Sequence, residues 1–141
     1  MNTILLIHLF ACFAMTGIIW LVQVLIYPFF KIVGQAEFKI LHDFQMKKIS
    51  LIVAPLMLLE LMTALWLLID YSPPLTRPIL YLNLISVLFL WGTTILKNIP
   101  SHHKLNFDSA KSKDILIFMN WPRTIVWTLR SLFLFYWGTQ V

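Results

Sequence analysis

Asn120-Trp121-Pro122-Arg123-Thr124-Ile125-Val126-Trp127-Thr128-Leu129-Arg130 is the stretch on which the reading of this chain turns. Two arginines stand seven residues apart in a hydrophobic run. A charged side chain at the centre of a membrane helix costs about 2.5–3.5 kcal/mol on insertion scales, so a helix carrying two of them needs receivers elsewhere in the protein. Asn120, Arg123, Trp127 and Arg130 recur at intervals of three, four and three, which puts them on one helical face. The rest of the chain is read for what meets that face.

The setting is a membrane. The chain has 141 residues, of which 60% are hydrophobic and only 12% charged, about half the charge of a soluble domain. Four apolar runs use most of the length and predict a single all-α domain over 1–141, an integral membrane four-helix bundle. The spans are expected at about 3–26, 49–69, 79–96 and 115–137. The first lacks a basic leader and runs longer than a signal-peptide core, so it is expected to be retained. Between the first two spans, Phe38, Ile40, Leu41 and Phe44 recur at helical spacing among charges, which predicts a short amphipathic helix or an extension of the second span. Ser72-Pro73-Pro74 marks a turn after the second span, and Pro55 and Pro122 lie inside helices.

Direction follows from charge. Lys31, Lys39, Lys47, Lys48, Lys97, Lys104, Lys111 and Lys113 fall in the first and third connections, whereas the second has Arg77 and the termini have no basic residue. By the positive-inside rule both termini lie outside, in a multi-pass protein of a bacterial inner (cytoplasmic) membrane. The net charge of +5 is assigned to anionic headgroups and topology, and nucleic acid is excluded as a partner. The expected partners are membrane lipid and a lipophilic small molecule, with a homo-oligomer left open. Cys12 has no partner in the chain, so no disulfide or thiol chemistry is expected.

Comparing depths along the spans groups the polar residues into two layers. His8, Glu60, Asn83 and Arg130 form the outer layer, in which Glu60 and Arg130 are expected to face each other or to share a ligand. Gln23, Tyr27, Thr94, Lys97, Asn120 and Arg123 form the inner layer, with His42, His102 and His103 at its mouth. Each group also has a plainer role: Glu60 with Arg130 as a structural ion pair, the Trp and Tyr residues as interfacial belt, Lys97 as a snorkelling side chain.

Two chemistries suit such layers. Four histidines are present, but no His-x-x-x-His or Glu-x-x-His spacing, so no protein-only metal site is expected. Heme is one candidate cofactor, with an axial nitrogen from His8 or His42 and propionates held by Arg130, Arg123 or Lys97. The other candidate is a lipophilic aromatic or quinone-like substrate. Trp20, Trp91, Trp121 and Trp127 would stack on it, Arg123, Asn120, Gln23 and Tyr27 would polarise its oxygens, and Glu60, His8 or His42 would move protons. Arg123 and Arg130 would then stabilise charge.

Several short motifs carry a resemblance: Gly17, Trp20 and Tyr27-Pro28 in the first span, Pro55-Leu56-Met57 in the second, Thr94 before Ile99-Pro100-Ser101-His102-His103-Lys104-Leu105, and Asn120-Trp121-Pro122-Arg123-Thr124. Together they resemble the anthrone-oxygenase-like family of small four-span membrane proteins, although Ser101-His102-His103 stands where that family often has an Asn. Leu6-Ile7-His8-Leu9-Phe10 with Trp20 is also similar to bacterial small-membrane protoporphyrinogen oxidases, with a different His-to-Trp spacing. These resemblances imply a membrane oxidoreductase or oxygenase acting on a hydrophobic aromatic molecule. The competing class is a non-enzymatic heme-binding, carrier or structural subunit.

Overall fold

The computed structural model describes residues 3–70, 75–98 and 110–140, which form four helices and no strand. Helix α1 spans Thr3–Ile32 and includes a π-helical turn at Val22–Ile26. Helix α2 is Gln35–Ile69, α3 is Arg77–Thr93 and runs on through a π turn at Thr94–Asn98, and α4 is Ala110–Gly138. Three of them, Thr3–Ile32, Glu37–Ile69 and Arg77–Leu96, are long and apolar enough to cross a membrane. α4 has the length, at 29 residues, but carries the two arginines.

Local signals explain the boundaries. Gly34 caps α2 without a side-chain bond, and Thr76, in extended conformation, precedes Arg77-Pro78 at the start of α3. Proline suits a first helical turn because its missing N–H has no acceptor there anyway. Pro55 and Pro122 lie inside α2 and α4, each removing one i→i−4 hydrogen bond. Of the two forms expected for the stretch between the first spans, the separate short amphipathic helix is absent among the described residues and the extension of the second span is present: the stretch is the first part of α2, which runs unbroken for 35 residues. Its buried Phe38 and His42 explain the continuity: packing against Phe30 extends the apolar stripe of the span beyond the hydrocarbon-length segment. Ser72-Pro73-Pro74 falls outside the described residues.

α1 packs on α2 and α4, α2 packs on α3, and α3 closes the ring against α4. Leu5 at the start of α1, Leu67 at the end of α2, Leu80 at the start of α3 and Leu134 near the end of α4 share one cluster, so sequential helices run antiparallel. A middle cluster holds Met15, Ile19, Met57, Leu90 and Trp127, and a third holds Val22, Tyr27, Phe30 and Phe38. Large side chains such as Phe10, Val24, Leu51, Met62, Leu129 and Phe135 are exposed around the outside. A soluble monomer does not display so continuous an apolar surface. Near the third cluster, at the basic end of the bundle, Lys31 of α1 meets Asp114 of α4 at 2.6 Å.

Candidate functional site

Both arginines of α4 look into the bundle. Arg130 is 5% exposed and forms an ion pair with Glu60 of α2, itself 2% exposed. The Trp127 indole N–H donates to both Glu60 oxygens, at 3.3 and 3.1 Å, and Arg130 Nη2 donates to Cys12 Sγ at 2.8 Å. The second carboxylate oxygen thus has a donor of its own. A buried pair needs such satisfaction of its remaining lone pairs to offset desolvation.

Toward the other end lies a second polar knot. His8 Nδ1 is 2.6 Å from Thr63 Oγ1, and the Thr63 hydroxyl lies 2.6 Å from the Leu59 carbonyl. A carbonyl only accepts, so the single hydroxyl hydrogen goes to Leu59 and His8 must donate from Nδ1. Its Nε2 is then an acceptor, filled by the Asn83 amide N–H at 3.1 Å. Thr63→Val leaves the His8 N–H buried without an acceptor. It should lower stability by about 1–3 kcal/mol, and Thr63→Ser should restore it; unfolding midpoints in mild detergent measure both.

The basic half is built differently. Gln23, in the π turn of α1, donates from Nε2 to the Ile117 carbonyl at 3.3 Å. That orients its amide, so Gln23 Oε1 accepts from Asn120 Nδ2 at 2.8 Å, and Asn120 in turn is oriented with Oδ1 buried and unpartnered. One turn on, Arg123 is 8% exposed, lies 5.1 Å over the Trp127 ring, and has a buried Nε with no hydrogen-bond partner. Among the described residues no carboxylate pairs with it. Trp91 Nε1 and Gln45 Oε1 are likewise buried and unpartnered.

Gln45, Trp91, Asn120 and Arg123 surround one cavity of about 250 Å³, to which all four helices contribute. Its remaining wall includes Tyr27, Thr94, Met15, Met57 and Ile49, so it is apolar apart from a few convergent groups. Both π turns border it, through Val22 on α1 and Thr94 and Ile95 on α3. Such turns insert one extra residue and recur at functional sites. An uncompensated guanidinium in an apolar cavity calls for an anionic or strongly accepting ligand.

The two expected layers stay apart in the fold, and only the inner one borders the cavity. Tyr27, Thr94, Asn120 and Arg123 share the cavity, with Gln23 just behind Asn120. Glu60, His8, Asn83 and Arg130 do not line it. Trp20, expected to stack on a ligand, is 39% exposed on the outside, where it bonds Thr128 and meets Trp121 edge-on. Trp127 is enclosed in the core as the donor to Glu60, and Trp91 does face the cavity. His42 packs between Phe30 and Phe38, away from the cavity. The side chains of Lys97, His102 and His103 lie outside the described residues. Gln45 and Thr63 were missed. Thr63 had a signal, standing one turn after Glu60, and Gln45 had none above its charged neighbours.

Among the described residues the side chains do not fit heme in this cavity. Both ring nitrogens of His8 are engaged, His42 does not reach the cavity, and the cavity itself is smaller than the roughly 300–1,000 Å³ that drug-sized ligands take. Among the described residues no group of three metal-ligating side chains forms. Comparison with known proteins found no matching family model, no similar curated protein and no similar solved structure.

Proposed function

We propose that this protein is a four-span membrane protein of the bacterial inner membrane, both termini outside, that binds a lipophilic molecule by an acidic head at Arg123. The carrying observation is the guanidinium of Arg123, buried against an apolar cavity with no acidic partner among the described residues. The span assignment of α4 rests on the same groups: once Arg123 and Arg130 turn inward, what α4 presents outward is Phe118, Ile125, Leu129, Leu132 and Phe135, a surface that suits hydrocarbon.

A binding or carrier role is favoured over oxidoreductase or oxygenase chemistry. Tyr27 and Arg123 are the titratable side chains among the described wall residues, while Glu60 and His8, the groups suited to moving protons, are locked in other hydrogen bonds. Proton transfer requires hydrogen-bond reach of the substrate.

Equilibrium binding of octanoate and of methyl octanoate to the delipidated protein tests the reading. A charge-assisted hydrogen bond contributes about 1.5–3 kcal/mol, so the acid should bind about 10- to 100-fold more tightly than its ester. Equal affinity for the two, or none for either, rejects it.

A further inference from the structure

The Arg123 cavity accounts for a ligand's head but not for a long tail. At about 250 Å³ it is below the size of ordinary drug-sized sites. On the outer side of α1 and α2 lies a groove of about 620 Å³, lined by Phe13, Ala14 and Gly17 of α1 and by Phe44, Lys48 and Ile52 of α2. Ile18, Gln45 and Ile49 belong to the walls of both spaces. They form a partition of three side chains between the cavity and the groove.

Three further observations concern that partition. A Cβ at Gly17 would meet no atom within 4 Å, so the groove floor is open there. Gln45 places a buried, unpartnered oxygen between two apolar spaces, a position with a desolvation cost and no return from the protein itself. The π turn of α1 straddles the wall, with Val22 on the cavity and Ile26 on the groove, and its widened turn is a place where helix register yields at low cost.

We propose that the ligand is a single-chain anionic amphiphile of the membrane, its head at Arg123 and its tail passing between Ile18, Gln45 and Ile49 into the α1–α2 groove. This rests on the binding reading of the cavity and adds to it the chain number, the tail site and the side from which the ligand arrives. A single chain suits the passage, because the partition is only three side chains wide.

Tail length separates this proposal from the reading beneath it. Octanoate and hexadecanoate are titrated into wild type, Gly17→Phe and Ile52→Trp in nanodiscs of one composition, so that partitioning into lipid cancels in each variant-to-wild-type ratio. Both substitutions fill the groove from opposite walls and leave the cavity untouched. Each methylene removed from an apolar site is felt, so hexadecanoate should weaken by at least about tenfold in both variants while octanoate stays within about twofold. Gly17→Ala should change neither. Unaltered hexadecanoate binding in both variants overturns the tail site and leaves the Arg123 reading standing. An equal fall for both acids in both variants also overturns it, because the damage then does not follow the tail. Failure of wild type to bind either acid removes the Arg123 reading and this proposal together.

Discussion

Replacing Arg130 by Leu should cost about 3–5 kcal/mol of stability, the typical penalty for removing one partner of a buried ion pair. The Glu60 carboxyl is 2% exposed, and after the substitution it keeps only the Trp127 indole N–H and its neighbourhood to Cys12. Glu60→Leu alone should do comparable harm, because it strands a guanidinium whose Nε and Nη1 already lack partners. The double substitution is the informative one. With both charges gone the desolvation cost disappears as well, and apolar replacements of buried pairs are commonly neutral or stabilising. Arg130→Leu with Glu60→Leu should therefore lie within about 1–2 kcal/mol of wild type, the remainder reflecting lost side-chain volume. Unfolding midpoints in mixed micelles measure all three proteins. Additive losses would mean that the two residues act independently, contrary to their contact across α2 and α4.

Arg123 should respond in the opposite sense. Arg123→Leu removes a buried cation that no acid among the described residues compensates, so its unfolding midpoint should stay level or rise. What it gives up is the contact over Trp127, worth about 0.5–2 kcal/mol. Binding should suffer instead. The preference for octanoate over methyl octanoate should fall from about 10- to 100-fold to near parity. Arg123→Lys keeps a cation but loses the planar fork and its stacking, so it should retain part of the preference. A large loss of stability in Arg123→Leu, with the acid preference intact, would make Arg123 a structural residue like Arg130.

These opposite outcomes rest on one difference between two arginines of one helix face. Arg130 has a carboxylate from α2, and Arg123 has a cavity. The periodicity of Asn120, Arg123, Trp127 and Arg130 placed both arginines inward, and all four residues are indeed buried. It did not distinguish them, because periodicity ranks faces of a helix and says nothing about what stands opposite each residue. The indole of Trp127 illustrates the limit. On sequence alone it is an aromatic platform for a ligand; in the fold it occupies the core and donates to Glu60.

Other parts divide along the same line. Depth matching along antiparallel spans put His8, Asn83, Glu60 and Arg130 in one layer and set Glu60 against Arg130, since a rise of about 1.5 Å per residue is nearly constant in a helix; in the fold His8 meets Asn83 and Glu60 meets Arg130. Depth could not tell which layer is closed by its own hydrogen bonds and which borders an empty space. Thr63 and Gln45 went unnoticed because one polar side chain on an apolar helix carries no signal until its partner, or its lack of one, is known.

Composition and spacing by themselves determined the helical class, the apolar character that suits a membrane, and the inward face of the last helix, because those depend on local hydrophobicity and a fixed helical repeat. Only the tertiary structure decided that one guanidinium is neutralised and the other is not, and that a cavity opens beside the second. Charge compensation and empty space depend on side chains brought together from all four helices, between positions as distant in sequence as Tyr27 and Arg123.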